Sequence, residues 1–383
     1  MKTIAQYNPR FSPCVGGGET YVSNLVLNIK KYNFDIITNS LPDFLLEEVF
    51  SENTLVKRFL PYDRNLSPFN NFIINKLSFP YRFSSDILRL RKKNEYLKKS
   101  TYDLIHFHGI GFCNDLLRVD TWINATIFSK LIDFNEINTP KVITIHNLFS
   151  SLNPDPIFKA YEQNIIDQFE YIICVDKNIE TYVRDYSDLM NEDKKIYFIP
   201  NSVDIDNFSF SKIESKNKLV IGFVGRFERS RGINMLKLLI ETLPNFCELH
   251  ITCNQIQGVN NTNVYFHGVL PENNVPSFIK SMNIIFNPVL VEGISRITLE
   301  AMSCGRPVIM LNNGDRYPVI NGKTGYLIKE DINELLSLLE YLYSNENELK
   351  EVGYNARQII EKEFSNEIII PKIIRIYDEL TET

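Results

Sequence analysis

The stretch Pro288–Gly305, P-V-L-V-E-G-I-S-R-I-T-L-E-A-M-S-C-G, places Glu292 and Glu300 on either side of seven residues. Ile297, Leu299, Ala301 and Met302 recur as on a helix, and Gly305 and Pro307 stop it, Gly by accepting a left-handed conformation and Pro by lacking a backbone donor. A helix starting near Ser295 leaves Glu292 in the preceding loop and Glu300 one to two turns in. At ~1.5 Å rise per residue the two backbones are then roughly 10 Å apart, about the length of a nucleotide sugar. The free N–H groups of Gly293, Ile294, Ser295 and Arg296 fall at the positive end of that helix, where a diphosphate is favoured. Glu300 is then expected on the ribose hydroxyls and Glu292 on the sugar hydroxyls. The same spacing also describes an ordinary amphipathic helix with one capping and one exposed glutamate.

Other residues could complete such a site. In V-G-R-F-E-R-S-R-G (Val224–Gly232), Arg226 and Arg231 follow a strand and flank a short loop, so their guanidinium forks could converge on a diphosphate or simply be solvated. Gly16-Gly17-Gly18-Glu19 follows the first strand and would let a ligand, or another backbone, approach closely. It is not G-x-G-x-x-G, which argues against a dinucleotide site. His108 and His146 each end a strand, where open α/β sheets bind ligands, although a histidine there is commonly structural. His106-x-His108 is weak as a metal motif. Asp204-x-Asp206 reads as a capping loop, not a metal site.

The elements that must position these groups alternate. Strand-like runs are expected at 2–6, 34–38, 104–107, 141–145, 171–175 and 196–199, then at 219–224, 248–252, 264–266, 284–287 and 308–311. Helical periodicity lies between them, which is the pattern of an α/β protein with mostly parallel sheets. The chain of 383 residues is long for one core and suits two domains, with a polar, aperiodic run before Lys218. The net charge of −6 gives no reason to expect nucleic acid. The six cysteines are scattered without C-x-x-C pairs and read as reduced, mostly buried thiols. No secretory pattern or ~20-residue apolar run is visible, so a cytoplasmic or peripheral protein is expected.

The Glu-x7-Glu segment, with C-G-R-P-V-I after it, resembles the motif of retaining GT-B glycosyltransferases of group 1 (family 4). Other matches accompany it. V-G-R-F-E-R-S-R-G resembles G-R-x4-K-G, with Arg231 where Lys is usual; the charge is kept and the geometry changes. V-I-T-I-H-N (Val142–Asn147) resembles the T-x-H segment, whose histidine lies at the sugar end of the donor. I-P-N-S-V-D (Ile199–Asp204) resembles I-P-N-G-V-D, with Ser202 in the Gly position. Asn312–Ile328 resembles the closing N-G-x-x-G-x-L segment.

The resemblance implies an α/β GT-B fold, two Rossmann-like domains with parallel sheets facing across a cleft. Residues 1–203 would form an acceptor-side domain, 204–218 a linker, 219–364 the nucleotide-sugar-binding domain, and 365–383 a helix crossing back to the first domain. It implies transfer of a sugar from a nucleotide diphosphate sugar, UDP- or GDP-linked, to a hydroxyl of a glycan or lipid-linked acceptor, with retention, in envelope polysaccharide or glycolipid synthesis. Catalytic roles carry over to His146, Glu292, Arg226 and Arg231, and donor binding to these two arginines, Gly17, Gly18, Glu292, Gly293, Ile294, Ser295 and Glu300. Glu19 and His108 take the acceptor side. No metal and no cofactor beyond the co-substrate are expected, because the cations and the helix terminus could stabilise the departing diphosphate. An epimerase-like enzyme on the same fold and a catalytically silent nucleotide-binding scaffold are the alternatives.

Residues 57–99 carry eleven Lys and Arg against three Asp and Glu, interleaved with aromatic and apolar side chains. Such a segment is expected either to dock on an anionic membrane at its inner face or to be a solvated helix and loop packed on its own domain.

Overall fold

The computed structural model describes the chain apart from residues 15, 41–43, 62–89, 110–132, 149, 151–155, 191–193, 226, 228–230, 255, 257, 258, 260, 291–293 and 383. It divides into two compact units, Met1–Ile199 with Ile370–Thr383, and Pro200–Ile369.

In the first unit an eight-stranded sheet has the order β3-β4-β2-β1-β5-β6-β7-β8. Its strands are β1 (Thr3–Tyr7), β2 (Asn33–Ser40), β3 (Glu47–Ser51), β4 (Thr54–Pro61), β5 (Leu104–His108), β6 (Lys141–Ile145), β7 (Tyr171–Cys174) and β8 (Lys195–Phe198). All neighbours pair in parallel except β3 and β4. The central strands are buried on both faces, as parallel strands covered by helices must be. Ala5, Ile105, Ile143 and Ile172 form one side of a continuous core with Phe107, Phe134 and Phe169.

The second unit has β9 (Leu219–Phe223), β10 (Cys247–Ile251), β11 (Val264–Phe266), β12 (Ile284–Asn287), β13 (Val308–Leu311) and β14 (Tyr326–Ile328). Their order is β11-β10-β9-β12-β13-β14, all parallel. The chain reverses its direction of travel across the sheet between β9 and β12, as it does between β1 and β5 in the first unit. Ligands bind outside the carboxyl ends of strands at such switch points, because the loops there diverge and leave a crevice.

Three strands were not anticipated. β3 and β4 lack a clear alternation of apolar and polar residues, and Lys57 and Arg58 read as part of the basic segment. In the structure Lys57 is paired with Asp35 at 2.6 Å and Arg58 is buried against Glu48 at 2.6 Å. Lys93 is also buried: its ammonium donates to Asn39 Oδ1 at 2.8 Å and lies 4.7 Å from the Tyr7 ring centroid. These three cations serve the first unit's interior, which corrects their assignment to a membrane-facing patch. Arg91 and Lys92 are exposed, and 62–89 lie outside the described residues. β14 was hidden in a Gly-containing loop pattern.

Residues expected to be a linker, 204–218, belong to the second unit. Arg306, buried, donates to Ser211 O at 2.6 Å, and buried Arg357 donates to Ile205 O and Phe208 O. Asp204 Oδ1 accepts the N–H groups of Asp206 and Asn207, each at 3.0 Å, as a capping carboxylate does. The final helix, Asn366–Glu382, gives its first residues to the second unit and Ile370 onward to the first. In the first unit its Asp378 pairs with Lys31 at 2.6 Å and its Glu379 with Lys195 at 2.9 Å.

Candidate active site

At the switch point of the first sheet the loop after β1 leads into the Gly17–Asn28 helix. A Cβ added at Gly17 or Gly18 would meet nothing within 4 Å, so internal crowding is not what requires glycine there. Glu19 lies 3.5 Å from Arg10 and is mostly covered. Two residues on, Tyr21 places its buried ring edge-on to His146, centroids 4.7 Å apart, and to His108, 5.6 Å apart. The His108 and His146 rings are 6.0 Å apart and nearly parallel. His106, on the same face of β5 as His108, lies 4.1 Å from it.

Three neighbouring imidazoles in an apolar setting cannot all be charged. Burial holds His146 down to about 4, and burial with the nearby His146 holds His106 down to about 3. His108 is held well below the usual range by burial and by both other rings. All three are neutral at pH 7. His146 Nε2 and His108 Nδ1 are buried and have no hydrogen-bond partner among the described residues. Burial raises the Tyr21 phenol, opposed by the nearby Thr144 hydroxyl, although no hydrogen bond of good geometry reaches it.

At the second switch point, β12 ends at Asn287, whose side-chain amide donates to Ser295 Oγ at 2.7 Å and Thr298 Oγ1 at 3.0 Å. Ser295 is the N-cap of the Arg296–Ser303 helix, accepting from Thr298 N–H. Asn287 therefore pins the helix start to the strand end. One turn in, Glu300 is buried and pairs with Arg296 at 2.8 Å. Burial pushes its carboxyl upward and Arg296 opposes the shift. Gly305 ends the helix at φ +74°, where a Cβ would strike the Phe210 ring at 2.5 Å.

Arg231 precedes Gly232, which has φ +71° and opens the Ile233–Thr242 helix. A Cβ on Gly232 would lie 1.8 Å from Pro288 O. Glycine thus lets the arginine-bearing turn seat against the start of the carboxylate segment. On its far side, buried Arg316 donates to Val289 O at 3.0 Å, and Asn313 donates to Leu290 O at 2.9 Å.

The second unit therefore brings Arg231, Ile294, Ser295 and Glu300 to one edge, and the first brings Gly17, Gly18, Glu19, His108 and His146 to another. Arg226, Glu292 and Gly293 lie outside the described residues. Sequence reasoning missed Tyr21, Asn287 and Gly232. A tyrosine on an amphipathic helix looks like core, and an asparagine closing an apolar strand looks like a turn. The G-R-x4-K-G resemblance was the available signal for Gly232.

Two doubly wound, mainly parallel sheets with ligand-type loops at both switch points are the GT-B architecture, which serves more than one activity, and the comparisons supply the family. A family model described as Glycosyltransferase Family 4 matches residues 15–207, and one described as Glycosyl transferases group 1 matches 218–345. The chain belongs to Glycosyltransferase Family 4. A sucrose-phosphate synthase from Thermosynechococcus elongatus shares the fold, with TM-score 0.78 and 20% identity over 99% of each chain. The Anabaena protein HepE in complex with UDP and glucose has TM-score 0.69 and 15% identity, covering 99% of this chain and 100% of that one. The capsular polysaccharide biosynthesis glycosyltransferase CapM of Staphylococcus aureus is 27% identical over 200 residues, 46% of this chain and 53% of that protein. That match spans about half the length of the Staphylococcus protein. Among the described residues no helix is long and apolar enough to cross a membrane.

Proposed function

We propose that this glycosyltransferase moves a sugar from a nucleotide diphosphate sugar to an acceptor hydroxyl with retention, without a metal, in the synthesis of an envelope polysaccharide or glycolipid. The observation that carries the reading is the seating of the Arg231–Gly232 turn against Pro288. The Arg231 turn thus adjoins the segment that leads from Pro288 into the helix capped by Ser295 and carrying buried Glu300, which supports a shared role for these groups. The cation and the helix dipole would stabilise charge as it develops on the departing diphosphate. Glu300 would accept hydrogen bonds from ribose hydroxyls, and Glu292 would do so from the sugar. Neutral His146 would accept from or donate to a sugar hydroxyl, a task for which a desolvated imidazolium would be poorly suited. HepE, crystallised with UDP and glucose, supports a uridine-linked donor, and CapM supports a polysaccharide product. GDP-linked donors remain in the test.

Exposed Arg91 and Lys92, with the basic residues of 62–89, would hold the protein at an anionic membrane and near a lipid-linked acceptor. Each such charge contributes about 1 kcal/mol near the surface.

The test is a screen of UDP- and GDP-sugars with and without lipid-linked and soluble glycan acceptors. Free nucleotide diphosphate should form only with acceptor, the anomeric proton of the product should keep the donor's configuration, and turnover should survive EDTA. Interconversion of donor sugars without acceptor would instead identify an epimerase. Nucleotide binding without any turnover would identify a silent scaffold. Loss of turnover in EDTA, restored by magnesium or manganese, would overturn the metal-free mechanism.

A further inference from the structure

Across the centre of the first sheet, β1, β5 and β6 carry polar side chains where neighbouring positions are apolar. Gln6, His106, His108 and Thr144 are all buried. Gln6 and His106 are register partners, as are His108 and Thr144. Buried polar groups must find partners, since each one left unsatisfied costs about 1–3 kcal/mol. These find theirs through one residue from the far end of the sequence. Tyr377, buried on the final helix, brings its hydroxyl 3.1 Å from Gln6 Nε2 and 2.6 Å from His106 Nδ1. His108 Nε2 lies 2.7 Å from Gln6 Oε1, and His106 Nε2 lies 2.7 Å from Thr144 Oγ1.

Donor and acceptor accounting orients the whole chain. The Gln6 carbonyl only accepts, so His108 must donate from Nε2. The Gln6 amide only donates, so the Tyr377 oxygen accepts it and is free to donate its own proton to His106 Nδ1. His106 then carries its proton on Nε2 and donates it to Thr144. Reversing the His108 half would require a flipped Gln6 amide, and reversing the His106 half alone would leave the Tyr377 proton with no acceptor among the described residues. The first reversal would also put an N–H on His108 Nδ1, which is buried without a partner among the described residues. An orphaned donor there is costlier than an orphaned lone pair, because a carbonyl or nitrogen acceptor tolerates partial satisfaction better than an N–H.

We propose that Tyr377 is a positioning residue for the transfer reaction: directly and through Gln6, it fixes His106 and His108 in the tautomer protonated at Nε2. His108 is left with Nδ1 as a pure acceptor beside the His146 ring, suited to a ligand hydroxyl. The final helix thereby sets the hydrogen-bonding character of the acceptor-side edge, not only the packing of the unit. The same chain opposes protonation of His106, because an imidazolium could no longer accept the Tyr377 hydroxyl proton at Nδ1 and would leave that proton without a partner in the cluster. Among the described residues the titratable groups facing this cluster are His108, His146, Tyr21, Tyr32 and Tyr377 itself, with no carboxylate among them.

The catalytic part rests on the reaction proposed above, so the test begins with a measurement that needs no turnover. The sequence has five histidines, few enough to assign in a long-range proton–nitrogen correlation spectrum by single His→Gln variants. In the full chain at pH 7, His106 and His108 should each show protonated Nε2 and bare Nδ1. Tyr377→Phe keeps the ring against His106 and Tyr32 and removes the hydroxyl. It should give His106 a mixed tautomer and raise its pKa by at least about one unit toward the ordinary imidazole value. Gln6→Leu cuts the chain on the other side and should unlock His108 while leaving His106 as it was. Unchanged nitrogen shifts in both variants, or an Nδ1-protonated His108 in the parent, would overturn the proposal. With the reaction assayed, Tyr377→Phe should lower kcat about tenfold, move the acid limb of the kcat profile to higher pH and leave the donor KM within about twofold. Altered shifts with an unaltered kcat and pH profile would overturn the positioning role.

Discussion

At the first sheet's switch point the candidate side chains are a buried phenol and imidazoles that burial keeps uncharged. At the second they are guanidinium and carboxylate groups, with Arg296 and Glu300 paired at 2.8 Å and Arg231 at the head of a tight turn. Both edges use the same topology, so the fold does not account for the difference. Its origin is in what each edge would have to hold. A diphosphate needs fixed positive charge and oriented N–H groups. Sugar and acceptor hydroxyls need neutral partners that both donate and accept, and such groups discriminate best where water is absent and an unpaired partner is costly.

The contrast is broken most severely at its neutral side. His146→Ala should lower kcat about a hundredfold with nucleotide affinity little changed, measured by steady-state turnover and by titration of free UDP or GDP. A larger loss of nucleotide affinity than of kcat would move His146 to the nucleotide end and erase the division of labour. At the charged side, Gly232→Ala combines a left-handed residue with a Cβ placed against Pro288 O. It should destabilise the second unit by about 2 kcal/mol, read as a lower melting temperature with the first unit's transition unmoved. Glu300→Gln should weaken free nucleotide binding about tenfold, or ~1.4 kcal/mol, by calorimetry. Unchanged affinity would leave Glu300 as an ion-pair residue for Arg296 alone.

The smallest effect sharpens the comparison through pH. Folding keeps His146 neutral down to about 4, whereas the unfolded chain protonates it near pH 6.5. The unfolded state therefore binds more protons between these values, and stability falls as pH drops through that window and is level above it. His146→Gln should remove about 1 kcal/mol of the loss between pH 7 and 5.5, seen in urea midpoints. Glu300 has the opposite sign. Its carboxyl is raised in the folded state, so its contribution improves as pH falls through the carboxylate range.

Much of this molecule was legible in its sequence. Strands buried on both faces announce themselves as apolar runs, and eleven were read within a few residues of their observed limits. Seven residues between two glutamates, a capping serine and a glycine stop were enough to place Glu300 on a short helix. β4 was not legible, because Lys57 and Arg58 interrupt its apolar pattern and their partners, Asp35 on β2 and Glu48 on β3, lie on other strands, and β3 itself is a short E-E-V-F-S run. Lys57, Arg58 and Lys93 leave the basic surface expected over 57–99 for the same reason. A cation's role depends on which carboxylate, amide or ring the fold brings to it, and Lys93 is enclosed by Asn39 and Tyr7.

What the sequence determined by itself was therefore the order of strands and helices, the motif residues at their ends and the family they belong to. These follow from local periodicity and turn chemistry, which need only near neighbours. The tertiary structure decided that His106, His108 and His146 are held neutral by burial, and which partners the ring nitrogens of His106 and His108 meet. Those depend on burial and on hydrogen bonds between Gln6, His106 and Tyr377, separated by up to 371 positions along the chain. No window of sequence contains both ends of that chain, and only closure of the last helix onto the first sheet brings them within 3.1 Å.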